Sequence, residues 1–85
     1  MSKYDKLLTQ ILRGNADASV SFDDLCWLLM KVGFEERVRG SHHIFRKGEV
    51  VERINLQRDG NNAKVYQVRQ VRAVLLKYKL GGDDV

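Results

Sequence analysis

The chain contains no proline and a single cysteine, Cys26. Without proline no helical pattern is forced to break internally, so glycines and polar loops must set the ends of its elements. One cysteine excludes an internal disulfide and a multi-cysteine zinc site. Cys26 lies on the apolar side of a helical pattern, where filling core space is the expected role. Long hydrophobic runs are also missing: none approaches the roughly 18 residues of a membrane-spanning helix. Nothing resembles a secretory leader. These absences lead to the expectation of a cytoplasmic protein with no membrane partner. At 85 residues and 44% hydrophobic content, the chain is expected to form one domain over residues 1–85 with a modest core.

The formal net charge is +4, and its distribution is more informative than its sum. Residues 1–33 hold four bases (Lys3, Lys6, Arg13, Lys31) and four acids (Asp5, Asp17, Asp23, Asp24). Residues 34–80 hold eleven bases and five acids, a local surplus of six positive charges. That half also contains both histidines, a combination suited to a polyanion such as RNA. A solvated basic surface is the plainer reading of the same charges.

Tyr4, Leu7, Leu8, Ile11 and Leu12 recur at helical spacing, so residues 2–13 are expected to form an amphipathic helix that stops at Gly14. Ser21 offers an N-cap oxygen with Asp23 and Asp24 in the following turn, which predicts a second helix ended by Gly33. Phe22, Leu25, Cys26, Leu29 and Val32 form its inner stripe. Trp27 and Leu28 flank that stripe, and one of them is expected to cover the first helix or meet a partner. The pattern then shifts to short β-branched and aromatic segments at 34–39, 42–47 and 50–56, separated by Gly40-Ser41 and Gly48-Glu49. A polar loop at 57–63 leads to a last helix with Val68, Val71, Val74, Leu75 and Tyr78 inward, and the final five residues are expected to fray. The fold class is therefore α+β, ordered α-α-β-β-β-α, with helices packed on a three-stranded antiparallel sheet. Leu25, Leu29, Phe45, Ile54, Val71 and Leu75 are expected inside. Without its leading helix, this is the arrangement of double-stranded-RNA-binding domains, with the core at 21–80.

Chemistry concentrates in Gly40-Ser41-His42-His43-Ile44-Phe45-Arg46-Lys47. Histidine titrates near neutrality and moves protons without a cofactor. RNA carries its own nucleophile, the ribose 2′-hydroxyl, and cations near the phosphate would stabilise the charge of the transition state. For a lone histidine at the start of a strand, a plain structural role is nevertheless the commoner one. In a regular strand His42 and His43 point to opposite faces and do not act as a pair. Spacing suggests no third ligand beside them, so no metal site and no cofactor are expected.

Gly33-Phe34 followed by Arg39-Gly40-Ser41-His42-His43-Ile44-Phe45-Arg46 resembles the glycine-phenylalanine and glycine-serine-histidine core of HicA-type toxins. The resemblance extends over about residues 21–78. It implies a double-stranded-RNA-binding-like fold, cleavage of messenger RNA, and inhibition by a HicB-like antitoxin protein. The histidine after glycine and serine is that family's catalytic one, which maps onto His42. The third strand reads Ile54-Asn55-Leu56-Gln57 where many members carry a valine-proline-histidine-like segment. Tyr66 to Arg72 likewise replaces the usual glycine-threonine-leucine start of the last helix, so the chain resembles a divergent branch with an added N-terminal helix.

Around His42, Gly40 is expected to supply a permissive turn and Ser41 to position the histidine or bond a phosphate. Arg39, Arg46 and Lys47 are candidate phosphate contacts, as are Arg69 and Arg72 on the last helix. Taken singly, each of these is more often a solvated charge. Gln57, Tyr66, Gln67 and Gln70 are candidates for contacts to bases or to the partner. The alternatives to a nuclease are a noncatalytic RNA-binding module of the same fold and, more weakly, a protein-interaction domain.

Overall fold

Serine caps open the first two helices of the protein. The computed structural model describes residues 2–80, so the expected tail of Gly81, Gly82, Asp83, Asp84 and Val85 lies outside the described residues. In α1 (Lys3–Arg13) the Ser2 hydroxyl accepts from the Asp5 amide at 3.1 Å. In α2 (Phe22–Val32) the Ser21 hydroxyl accepts from the Asp24 amide at 3.0 Å. Each cap satisfies an amide that the helix itself cannot. A short 3-10 turn, Asp17–Ser19, lies between the two helices, where an irregular loop was expected.

Three antiparallel strands follow in the order β1 (Glu35–Arg39), β2 (His42–Lys47) and β3 (Val50–Gln57). Gly40, at φ 60°, is the first central residue of the two-residue β1–β2 turn, and Ser41 does not share its positive φ. Positive φ at the first central residue alone is the type II′ pattern, which matches the twist of paired strands. Last comes α3 (Val65–Lys77). The order α-α-β-β-β-α is as expected, with boundaries shifted by about one residue.

All three helices pack on one side of the sheet. The six residues expected inside, Leu25, Leu29, Phe45, Ile54, Val71 and Leu75, include none that is more than 0% exposed. Leu28 is fully buried as well, which leaves Trp27 as the residue that covers the first helix, edge-on to Tyr4 at 6.4 Å between ring centres. Cys26 is half-buried at the margin of the core. Gln67 is fully buried, with its amide oxygen accepting from the Lys64 amide and its amide nitrogen donating to the Gln57 carbonyl, both at 3.3 Å. The sequence-level idea that Gln67 contacts bases is thereby corrected: this side chain fastens the start of α3 to the end of β3.

Arg72 does similar work at the other end of the helical layer. Its guanidinium donates to both Asp17 carboxylate oxygens at 3.0 Å and to the Ile11 carbonyl at 3.2 Å. Bidentate pairing of this kind fixes geometry as well as charge, and it joins α3 to the end of α1 and to the 3-10 turn. Gly14 lies against it, with φ 74° and a notional Cβ only 3.0 Å from the Arg72 Nη1. The Arg72 hydrogen bonds hold the Asp17 carboxyl below its ordinary range. Glu52, bonded by Lys77 at 2.7 Å and by the Tyr78 hydroxyl at 2.5 Å, is lowered to about 2.

Truncating Phe45 to alanine should destabilise the fold by about 3–5 kcal/mol, read from urea unfolding, because a fully buried ring leaves a cavity. Glu52 has a lowered folded-state pKa, so its contribution to stability is complete above the ordinary value of 4.5 and is lost as pH falls from there towards 2. Glu52→Gln should therefore flatten the acid limb of the stability curve over that window. An unchanged limb would show that the Lys77 and Tyr78 contacts do not persist in solution.

Candidate nucleic-acid interface and catalytic face

Strand alternation sorts β2 into two sets of side chains. Phe45 is fully buried under the helices, so His43 and Lys47 share its side while His42, Ile44 and Arg46 share the other. The register places Arg39 opposite His42, Arg37 opposite Ile44 and Glu35 opposite Arg46 on the β1 side. On the β3 side Gln57 opposes His42 and Asn55 opposes Ile44. In β3, Val50, Ile54 and Leu56 are buried, which turns Val51, Arg53, Asn55 and Gln57 outward.

The helix-free face thus carries His42 together with Arg37, Arg39, Arg46 and Arg53, against one acid, Glu35. Among the described residues none of these four arginines is in a salt bridge. His42 is exposed at the start of β2, directly after the Gly40-Ser41 turn. Ser41 also contributes its carbonyl, which accepts from the Arg58 amide at 3.1 Å and so extends the pairing beyond the strand end. A cleft of about 440 Å³, bordered by Gly33, Glu35, Arg37, Ile44 and Arg46, opens at the end of the hairpin away from its turn. His42 is not part of it.

Of the candidates read from the sequence, the fold gathers Arg39, Gly40, Ser41 and His42 at the hairpin turn, while Arg46 shares their face at the other end of β2, opposite Glu35. Lys47, Arg69 and Arg72 are not gathered there. Lys47 turns to the helical side, beside Gly33, and pairs with Glu49 at 2.8 Å. Arg72 has its donors taken by Asp17 and Ile11. Arg69 is exposed on α3, behind the sheet, 3.9 Å from Asp17. Arg37 and Arg53 belong to the outer face and were overlooked in the sequence. The alternation Glu35, Arg37, Arg39 was a legible sign of a charged strand face. The placement of Arg53 on the same surface depends on cross-strand register.

His43 occupies a different environment. Its Nδ1 lies 2.8 Å from the Glu36 Oε2, and its ring meets Phe22 edge-on at 5.0 Å between centres. The two partners stand on adjacent strands at diagonal positions, since Glu36 opposes Phe45 and Val38 opposes His43. Cys26 of α2 completes this group: the ligand atoms of Cys26, Glu36 and His43 lie within 4.8 Å of one another. Burial, followed by the nearby charges of Glu36 and Asp23, pushes the Cys26 thiol up to about 12. A thiol held protonated in this way is a poor nucleophile. Pairing of β1 with β2 brings Glu36 beside His43, and only the packing of α2 on the hairpin adds Cys26.

The chain matches no protein-family model, no curated protein and no solved structure. No helix among the described residues is long and apolar enough to cross a membrane.

The two histidines should therefore differ in their effect on the fold. His43→Ala removes the Glu36 bond and the Phe22 contact, and should cost about 1–2 kcal/mol in chemical denaturation. His42→Ala, on an open face, should fall within about 0.5 kcal/mol of the parent. Equal losses for both variants would contradict the assignment of faces.

Proposed function

We propose that this chain is an RNA-cleaving toxin of the HicA type, with His42 as its proton-transferring residue and a HicB-like antitoxin as its partner. The observation that carries this reading is the position of His42: exposed, and on a sheet face shared with four arginines, with neither the histidine nor the arginines in an ion pair among the described residues. The glycine-serine-histidine resemblance points to the same residue. The α2-β-β-β-α3 portion, with its helices on one side, also has the element order of double-stranded-RNA-binding domains, and α1 is an addition to it.

The chemistry needs few parts. Arginines on the open face hold successive phosphates, which positions the strand and contributes a salt-dependent affinity. The His42 imidazole accepts the 2′-hydroxyl proton as that oxygen attacks the adjacent phosphorus. Arg39, opposite His42 in the register, stands where a guanidinium would stabilise the developing phosphorane charge. The phosphorus–oxygen bond to the 5′-oxygen then breaks, leaving a 2′,3′-cyclic phosphate, a water molecule protonates the departing oxygen, and the proton taken up by His42 passes to the hydroxide so formed. A protein partner that covers this face silences the activity by excluding RNA.

A noncatalytic RNA-binding module is the second reading. It is favoured by one observation: the cross-strand neighbours of His42 are Arg39 and Gln57, so no second ordinary proton carrier stands beside the imidazole.

One comparison separates the two. With the fold verified by circular dichroism, His42→Ala should abolish cleavage of an RNA substrate and toxicity in cells while retaining most RNA affinity. Cleavage by the parent should persist in chelator and stop when the 2′-hydroxyl at the cut site is replaced by hydrogen. A folded His42→Ala that cuts at the parental rate would refute catalysis by this residue. A parent that binds RNA without cutting it would leave the binding module as the better description.

A further inference from the structure

We propose that Cys26, Glu36 and His43 form a binding site for a divalent transition-metal ion of the zinc class, on the helical side of the sheet and separate from His42. A thiolate, a carboxylate and an imidazole are the donor types that zinc accepts, and three protein ligands with one position left to solvent is a coordination pattern it commonly adopts. The sulfur and nitrogen donors disfavour magnesium and calcium, which prefer oxygen alone.

The three ligand atoms already lie within 4.8 Å of one another, with the His43 Nδ1 and Glu36 Oε2 at 2.8 Å. Zinc bonds of about 2.0–2.3 Å in tetrahedral geometry keep ligand atoms roughly 3.3–3.7 Å apart. Closing around an ion therefore requires the nitrogen–oxygen pair to part by less than an ångström or so and the sulfur to move inwards. The backbones that carry these groups are fixed independently. Cys26 follows the fully buried Leu25 in α2, and the two strand residues belong to a paired hairpin. Few degrees of freedom remain to be lost on binding. The His43 and Glu36 side chains are only 17% and 24% exposed, so the group is partly shielded from water.

Charge agrees with this assignment. As the sulfur–metal bond forms, the thiol proton passes to solvent, and the hydrogen bond between His43 and Glu36 is replaced by two metal bonds. Thiolate and carboxylate together neutralise the ion, which limits the cost of holding it in a site that is open on the Glu36 side. Asp23 adds a further negative charge near the sulfur. The competing cation is Arg58, whose guanidinium is paired with Asp23 and lies over the Phe22 ring at 4.6 Å. A bound ion would tie α2 to both strands of the hairpin directly behind the strand that presents His42.

This proposal does not depend on the RNA reading, and its test uses metal binding rather than cleavage. The full chain, stripped with chelator and kept reduced, is titrated with Co²⁺ and then with Zn²⁺. Saturable binding of one ion per chain is expected, with a cobalt–thiolate charge-transfer band that Zn²⁺ displaces and a rise in Tm on Zn²⁺ addition. Cys26→Ser should abolish the band and weaken Zn²⁺ binding on the order of a hundredfold or more, because losing a direct ligand costs at least as much as losing its supporting contacts. His43→Ala and Glu36→Gln should each weaken binding, whereas His42→Ala should bind as the parent does. Should His43→Ala fail to fold, the near-isosteric Cys26→Ser still decides the matter. Absence of stoichiometric binding, parental affinity in a folded Cys26→Ser, or loss of binding in His42→Ala would each overturn the site.

Discussion

Burial of Phe45 is the constraint from which the layout of both faces of the sheet follows. Its ring is fully enclosed between sheet and helices, and from His42 to Phe45 the pairing with both neighbouring strands is regular, the shift in register coming only after Phe45, so side chains alternate along this stretch. Once Phe45 faces inwards, His43 must do so too, and His42 and Arg46 must face out. A shift of one residue in this strand would exchange the two histidines and drive a charged arginine into the core. The apolar pattern of β2 therefore protects the presentation of His42 as strongly as it protects the core.

The same layering divides the charges of the molecule between two tasks. On the helical side and in the loops, cations are largely engaged: Arg72 with Asp17, Arg58 with Asp23, Lys77 with Glu52 and Lys47 with Glu49. The first three join elements distant in sequence and the last closes the β2–β3 turn, although the exposed pairs among them add little to stability individually. The outer face has only Glu35 to offset Arg37, Arg39, Arg46 and Arg53. That face therefore carries a formal surplus of three positive charges, four arginines against one glutamate, that the scaffold's ion pairs do not use.

Two different environments are consequently placed back to back on one hairpin. Outside, an imidazole shares its face with arginines. Inside, an imidazole lies beside a carboxylate and a thiol. The adjacent residues His42 and His43 are separated by the thickness of the sheet, and their neighbours differ in sign. Sequence adjacency carried no information about shared surroundings in this pair.

Much of the architecture was legible in the amino-acid sequence because it depends on local signals. Ser21 opens the second helix, Gly14 and Gly33 close the first two, Gly40-Ser41 sets the hairpin, and the period of the apolar residues changes from helical to strand spacing after Gly33. Those signals were enough to place Leu25, Phe45, Ile54 and Leu75 in the core and to set His42 and His43 on opposite faces. They could not assign partners to long polar side chains. That Arg72 serves Asp17 and Ile11, that Gln67 is wholly internal, and that Arg53 joins the surface of His42 depend on cross-strand register and on how α3 sits against the sheet. The meeting of Cys26, Glu36 and His43 is likewise a product of tertiary packing. Periodicity along a chain determines which side of an element a residue occupies, but only the docking of one element on another determines what that side chain touches.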